Sequence, residues 1–355
     1  MPRFAKPSDT IVHQDEPFNA EPPRAALAGE PITPLERFYV RNHGRVPTEA
    51  GPLRVGGLAA RPLELSLADV RALPRHELTA TLQCAGNRRA GLLAVRDIPG
   101  EAPWGPGATG TATWAGAALA DVLAAAGVDP AARHVELAGA DHSEEADPPQ
   151  DYEISIPLAK ALRPEVLLAY EMNGQPLAPV HGAPLRAVVP GYIGARSVKW
   201  LERVELRSEP SDGYYQATAY RLLPEDGTPA PGVGIPLGEV ALNSEILAPD
   251  DGASVPPGAL ELRGYAFAGG DRLVARVEIS ADAGAHWTAA ELLEDQGPWA
   301  WRLWQARIEL APGRHELFVR AWDSAGATQP EHPATVWNPK GYANSAWGRI
   351  VVEAG

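Results

Sequence analysis

The sequence predicts an α+β domain followed by an all-β sandwich. The chain has 355 residues and 45% hydrophobic content, enough for two cores because a single core stops growing near ~250–300 residues. Short strands alternate with helices over residues 37–207, whereas short β-prone runs separated by Gly, Pro and Asp turns follow from about Ala241. We therefore expect an N-terminal wrapping segment at residues 1–35 and domains at residues 36–240 and 241–355.

The N-terminal segment is polar and Pro-rich, which predicts that it wraps a surface rather than forming a core. In the first domain, Leu78–Leu82 and His134–Leu137 are β-prone runs that predict strands. Ala117–Ala126, closed by Gly127, is typical of a helix with a glycine C-cap. Strands and helices in alternation predict a mixed α+β domain.

The second domain is predicted from short runs, several with period-two alternation: Leu262–Phe267, Leu273–Ser280, Ala306–Leu310 and Glu316–Trp322. Turn residues separate these runs, which favours an antiparallel β-sandwich. A stretch rich in Pro and Gly, Ser208–Glu239, joins the two domains.

The formal net charge is −14, which argues against nucleic acid and anionic membrane surfaces and suits a basic protein partner. No run approaches the ~20 apolar residues of a membrane span, and the first residues lack the apolar core of a secretory signal. We therefore expect a cytoplasmic protein, or a periplasmic one if a leader has been removed. The sequence contains no Walker loop, dinucleotide fingerprint or Cys-x-x-Cys-His haem site, so no haem is expected on this chain.

The chain has one cysteine, Cys84. A single thiol cannot close an intrachain disulfide or build a four-cysteine zinc site. A lone cysteine is ordinarily a buried, small hydrophobic residue at the end of a strand. A functional role would need a ligand that brings the rest of its own coordination sphere, as molybdopterin does with its two dithiolene sulfurs.

The segment Leu82–Arg89 resembles the molybdenum-ligating segment of the sulfite oxidase family. Further segments across nearly the whole chain resemble the same family: Phe38–His43, His181–Arg186, Gly194–Trp200, Ala300–Trp304 and Trp337–Gly341. The resemblance implies a molybdopterin-binding α+β domain of the sulfite oxidase type, followed by an immunoglobulin-like dimerisation domain. It also implies one molybdenum per chain, ligated by Cys84, and a homodimer.

The resemblance assigns the substrate pocket to Arg41, Arg89 and Tyr220. An oxyanion needs fixed cationic donors, and a guanidinium meets it with two aligned hydrogen bonds. Arg88 is an alternative to Arg89, which we prefer because the family uses that position, and Gly86 would let the backbone approach the metal closely. A phenol at Tyr220 can orient an oxyanion and couple proton release to electron transfer. However, three tyrosines within seven residues could equally serve packing.

The resemblance also assigns residues to the pterin and its phosphate: Tyr39, Asn42, His43, Asp141, His181, Arg186, Ser197, Val198 and Lys199. Cations beside small residues are what a buried phosphate requires. Asp141 is open to a second interpretation, because a loop aspartate is more often a turn former.

Two positions depart from the family pattern. Lys340 stands where animal and plant sulfite oxidases carry an arginine that reaches into the substrate pocket, and Gly348 stands where the family usually has histidine. Lysine keeps the positive charge but loses the planar fork, so sulfite should bind more weakly. Both departures bear on whether sulfite is the substrate.

The resemblance implies a molybdenum-dependent oxidation of sulfite to sulfate. Two electrons would pass to a separate acceptor, possibly a cytochrome c, which the negative chain would attract if it were basic. One alternative is a related oxygen-atom-transfer reductase acting on nitrate or a sulfoxide. A further alternative is a dimeric relative without catalytic activity.

Overall fold

The structure is a computed structural model that describes residues 6–355. Its strands, β1 to β23 in chain order, are Ile11–Gln14, Asn19–Glu21, Leu53–Gly57, Leu63–Leu65, Arg75–Gln83, Thr109–Ala118, His134–Ser143, Gln150–Pro157, Leu167–Met172, Gln175–Pro176, Arg186–Val188, Leu201–Arg207, Arg221–Leu222, Ile235–Pro236, Asn243–Ala248, Ala253–Val255, Gly258–Phe267, Val274–Ser280, Thr288–Ala289, Glu291–Leu292, Arg302–Leu310, Gly313–Asp323 and Gly348–Ala354.

Helices are few and short. The α-helices, α1 to α4, are Leu67–Ala72, Arg89–Leu93, Leu119–Ala126 and Leu158–Ala161. Single turns of 3-10 helix occupy Arg24–Leu27, Pro179–His181, Gly194–Arg196 and Pro333–Val336, and a π-helical turn occupies Tyr215–Ala219. No helix within residues 6–355 is long and apolar enough to cross a membrane.

The first domain contains two five-stranded sheets and the short pair β13-β14, together with helices, which confirms the predicted α+β class. One sheet has the order β10-β9-β6-β5, with β11 also pairing with β9, and the other has the order β4-β3-β12-β7-β8. The predicted strand Leu78–Leu82 lies within β5, and the predicted strand at His134 begins β7. Apolar side chains such as Leu123, Leu137 and Val204 are fully buried in the core.

The helix predicted at Ala117–Ala126 begins two residues later than expected. Ala117 and Ala118 end β6, where they pair with β9. The expected C-cap is present: Gly127 has φ 72° and donates its N–H to the Leu123 carbonyl at 2.9 Å. Ala117 and Ala118 therefore adopt a strand conformation, because pairing with β9 outweighs the high helix propensity of alanine.

The second domain is a β-sandwich, as predicted. Its two sheets have the orders β15-β17-β21-β20 and β16-β23-β22-β18-β19. Each of the four predicted runs lies in one of the strands β17, β18, β21 and β22, except that β18 begins one residue later, at Val274. Leu262, Val277 and Trp304 lie in a second core between the sheets.

The N-terminal segment lies over the first domain, although its first five residues are outside the described range. Glu21 is buried and accepts hydrogen bonds from the Gly105 N–H at 2.6 Å and the Gly107 N–H at 2.9 Å. The Asn19 side chain accepts from the Asn42 N–H at 2.7 Å. The segment thus fixes two loops that border the cavities described below.

Hydrogen bonds and one buried ion pair join the two domains beside Cys84. Arg88 pairs with Glu245 of β15 at 2.9 Å, and both side chains are less than 10% exposed. The same guanidinium donates to the carbonyls of Ala346 at 2.9 Å and Trp347 at 3.0 Å. The Ala343 N–H donates to the Ala85 carbonyl at 2.8 Å. These contacts hold the second domain against the turn that carries the cysteine.

We predict that Glu245→Gln lowers the free energy of unfolding by about 3 kcal/mol, because it leaves a buried guanidinium without its counter-charge. Urea denaturation measures the change. Glu316→Gln is the matched control, since Glu316 pairs with Arg349 at 2.8 Å on the surface, where ion pairs contribute about 0–1 kcal/mol. Equal losses in the two variants would contradict the assigned role of Arg88 and Glu245.

Candidate active site

Cys84 follows the last residue of β5 and begins a tight turn. Its N–H donates to the Ala108 carbonyl at 2.9 Å, and its sulfur accepts from the Gly86 N–H at 3.4 Å. The side chain is buried. Burial raises the pKa of the thiol, and the positive charges of Arg89 and Arg41 partly oppose this rise. A thiolate here therefore needs a cationic partner, such as a soft metal ion.

Two cavities meet at the cysteine. They lie side by side, and their volumes, including the openings to solvent, are about 670 Å³ for the first and 950 Å³ for the second. Arg41, His43, Cys84 and Tyr220 line both cavities. A group bound in the first cavity would therefore present a Cys84-ligated atom to the second.

The first cavity contains a buried cation, Arg186, and a half-buried one, Lys199. Arg186 donates to the carbonyls of His181 and Ser197, both at 2.9 Å, and Lys199 donates to the Val180 carbonyl at 3.2 Å and to Asn42 Oδ1. Neither cation forms an ion pair with a carboxylate among residues 6–355. Burial lowers the pKa of Arg186 to about 10 and that of Lys199 far below its usual value. A phosphate would supply the missing charge.

Asp141 supplies a second sign of an absent ligand. Its Oδ1 is buried and has no hydrogen-bond partner in the described part of the chain. Burial raises the pKa of this carboxyl to about 7, against the lowering effect of Lys199. A buried acceptor without a donor is rare in native proteins, so this oxygen is suited to the N–H groups of a pterin.

The cavity thus fits a molybdopterin: it offers cations for a phosphate, an acceptor for ring nitrogens and one thiolate for the metal. Every residue predicted to contact the cofactor lines it: Tyr39, Asn42, His43, Asp141, His181, Arg186, Ser197, Val198 and Lys199. These side chains converge from separate segments. Their individual contacts with the pterin stay predictions.

The second cavity collects the residues predicted for an oxyanion. Arg41, Arg89, Tyr220 and Lys340 all line it. Arg89 is fixed, because its Nε donates to the Lys340 carbonyl at 3.0 Å and its Nη1 donates to the Ala102 carbonyl at 2.9 Å. Three positive side chains therefore surround this space.

The structure separates the two consecutive arginines. Arg88 has φ 65° and points to the second domain, whereas Arg89 points into the cavity, as we preferred. Gly86 has a local role beside its expected closeness to the metal, which stays a prediction. A Cβ at Gly86 would lie 2.6 Å from the Arg89 guanidinium, so the missing side chain makes room for Arg89.

Tyr220 forms a chain of hydrogen bonds with two other residues. His43 Nε2 lies 2.6 Å from the Tyr220 hydroxyl, and His43 Nδ1 lies 2.5 Å from Glu145 Oε2. Burial alone would raise the pKa of Glu145, but the hydrogen bond from His43 and the charge of Arg41 lower it to about 2. Arg41 Nη2 also lies near His43 Nδ1, at 3.0 Å, but the contact of this nitrogen with Glu145 is shorter. An ionised carboxylate only accepts, so His43 donates from Nδ1 to Glu145 and its Nε2 accepts from Tyr220.

The neighbouring tyrosines have other roles. The Tyr215 hydroxyl hydrogen-bonds to Ser143 inside the core, and Tyr214 lines only the second of the two cavities. The packing interpretation therefore holds for Tyr215, whereas Tyr220 lines both cavities.

The sequence motifs do not identify several residues that line the second cavity, among them Glu101, Trp104 and Glu145. Glu101 pairs with Arg89 at 3.2 Å and with Lys340. Each of the three lies in a loop without a surrounding motif. The two glutamates of these loops could not be identified from the sequence, because their contacts are with residues distant in the chain.

Sequence comparisons agree with this geometry. Residues 43–215 match the family described as the oxidoreductase molybdopterin binding domain, and residues 236–355 match the Mo-co oxidoreductase dimerisation domain. A sulfite oxidase of Arabidopsis thaliana is 39% identical, with 97% of this chain and 94% of the relative covered. A sulfite oxidase of Gallus gallus is 43% identical, with 95% and 76% covered.

Two further similarities are more distant. A nitrate reductase of Hordeum vulgare is 37% identical over 95% of this chain and 41% of its own length. The crystal structure of the sulfane dehydrogenase SoxCD from Paracoccus pantotrophus superposes with a TM-score of 0.83 at 26% identity, covering 97% of this chain and 88% of that one.

We predict that His43 stays neutral, with its hydrogen on Nδ1, throughout the range from pH 5 to 8. Burial and the positive charge of Arg41, opposed by Glu145, together lower its pKa to about 4, so the imidazole stays mostly neutral down to pH 5. Long-range ¹H–¹⁵N spectra of histidine-labelled protein measure this, with His43→Asn to assign the signal. A titration midpoint near pH 6.5 would contradict the buried hydrogen-bond chain.

Proposed function

The chain belongs to the sulfite oxidase family of molybdopterin-binding oxidoreductases, and from that membership we propose that it oxidises sulfite to sulfate. The observation that carries the proposal is the junction of two cavities at one buried thiol. One cavity holds unpaired cations for a phosphate, and the other holds three cations for an oxyanion. Named sulfite oxidases similar over most of the chain support the same substrate.

The cofactor would be held at both ends. Cys84 is suited to ligate the metal as a thiolate, while Arg186 and Lys199 neutralise the phosphate and Asp141 accepts from the pterin ring. When bound, the molybdenum cofactor supplies the two-electron acceptor and the oxygen atom that sulfite gains. The protein supplies position and charge, as it does for most cofactors.

Substrate binding falls to the side chains of the second cavity. Arg41 and Arg89 present guanidinium N–H groups, and Lys340 adds a third positive charge. Tyr220 borders the same space, and its hydroxyl donates to His43, which Glu145 holds in one tautomer. Oxidation of sulfite with water releases two protons and two electrons. This hydrogen-bonded chain joins Tyr220 to Glu145, which lies at the edge of the same cavity with its side chain 43% exposed, and offers a route for a proton.

The electrons would leave for a separate protein. The formal charge of −14 would attract a basic acceptor such as a small cytochrome and raise the rate of encounter. Residues 236–355 match a dimerisation domain, so we also propose that the protein works as a two-fold dimer.

We predict about one molybdenum per chain and sulfite oxidation that Cys84→Ser abolishes. Serine is too hard and too weakly acidic to replace a thiolate at molybdenum. Elemental analysis and sulfite turnover with an artificial electron acceptor measure these outcomes, and circular dichroism shows whether the variant folds.

Protein made with ample cofactor supply but lacking molybdenum would overturn the enzymatic proposal. Loaded protein that reduces nitrate with a chemical reductant, yet leaves sulfite unchanged, would favour a reductase instead.

We predict a dimer held mainly by residues after Ala241. Closed two-fold pairs are the commonest soluble assembly, and the matched dimerisation domain lies in this part of the chain. Light scattering at micromolar concentration should give twice the mass of the 37.7 kDa chain. A monomer at this concentration would contradict the assignment.

A further inference from the structure

We propose that Glu101 is a specificity-determining residue of the second cavity, where its carboxylate disfavours doubly charged oxyanions relative to singly charged ones. The inference rests on the proposed function, because it assumes that an oxyanion binds among the cations of this cavity. It concerns a residue that no motif in the sequence identifies.

The carboxylate of Glu101 is shared between two cations. Its Oε2 lies 3.2 Å from Arg89 Nη2, and its Oε1 pairs with Lys340 Nζ. All three side chains line the second cavity. An oxyanion that binds these cations must therefore compete with Glu101 for their N–H groups or accept its negative charge nearby.

The position of Glu101 is set by the backbone around it. The neighbouring carbonyl of Ala102 accepts from Arg89 Nη1 at 2.9 Å, which ties the loop to the arginine. Gly100 precedes it with φ 80°, a conformation that favours glycine and turns the chain toward the cavity. Only 17% of the Glu101 side chain is exposed, so solvent screens its charge weakly.

The charges that line the cavity nearly cancel. Cys84 also lines this cavity, but its thiolate would be bound to the metal. Among the other side chains, Arg41, Arg89 and Lys340 are opposed by Glu101 and Glu145, while His43 is neutral. One net positive charge remains, which matches a singly charged anion. A doubly charged ion would have to bind with excess negative charge close to two carboxylates.

This charge balance predicts different affinities for the substrate and the product of the proposed reaction. Sulfite is partly protonated near neutral pH and is available as a monoanion, whereas sulfate is a dianion. Glu101 would therefore weaken the binding of sulfate more than that of sulfite. The residue promotes product release while Arg41 and Arg89 still bind the substrate.

The test is the affinity of the molybdenum-loaded enzyme for sulfate, measured by isothermal titration calorimetry. Glu101→Gln should lower the dissociation constant about tenfold, since it removes one like charge and keeps the shape of the side chain. The Michaelis constant for sulfite should fall less. Glu225→Gln is the matched control, because Glu225 pairs with Arg96 on the surface, where its side chain is 76% exposed. The control should leave sulfate affinity unchanged.

Two more variants keep the test decisive. Glu101→Asp retains the charge and should bind sulfate as the wild type does. Glu101→Ala, like Glu101→Gln, removes the charge. It should also bind sulfate more tightly than the wild type, and it replaces the glutamine variant if that variant does not fold. Unchanged or weaker sulfate binding in the neutral variants, or sulfate binding to none of the proteins, would overturn the inference. Sulfite turnover by the wild-type enzyme tests the proposed function independently.

Discussion

The buried ion pair between Arg88 and Glu245 is the contact on which the geometry of the site depends. Arg88 follows the turn that carries Cys84, and Glu245 belongs to the second domain. The pair therefore brings Lys340 and Tyr342 of that domain to the edge of the second cavity. Because Arg88 is committed to this interface, its neighbour Arg89 is left to face the substrate. The two consecutive arginines thus have different roles: Arg88 joins the domains, and Arg89 lines the second cavity.

The cations of the first cavity differ from Arg88, which is paired with a carboxylate. In the described chain, buried Arg186 and half-buried Lys199 form no ion pair with a carboxylate, and Asp141 Oδ1 has no donor. Burying charges without partners is unfavourable, so the protein without its cofactor carries a cost that a bound phosphate and pterin would remove. Binding to the folded state alone also stabilises that state. Retention of the cofactor and stability of the first domain are thus expected to be linked.

The sequence predicted contiguous features well and distant pairings poorly. Cys84 and the residues of the first cavity lie in motifs whose order along the chain is enough to identify them. Glu101 and Glu145 were missed, because a carboxylate acquires its role only when folding brings Arg89, Lys340 or His43 beside it. The start of α3 was misplaced for a related reason: the alanines before Leu119 favour helix locally, but pairing with β9 holds them in a strand. The role of Gly86 likewise depended on the rotamer of Arg89.

The two cavities differ in where their walls originate. Residues of the first domain line the first cavity. The second cavity is completed by Gln14 and Asn19 of the N-terminal segment and by Lys340 and Tyr342 of the second domain. A change in the second-domain wall can therefore alter which anion binds without disturbing the cofactor. The lysine at position 340 is such a change, and its meaning depends on Glu101. A lysine paired with a carboxylate contributes less positive charge to the cavity than an unpaired arginine would. Lys340 and Glu101 should therefore be considered together, because the pair determines how much positive charge the cavity presents in addition to that of Arg41.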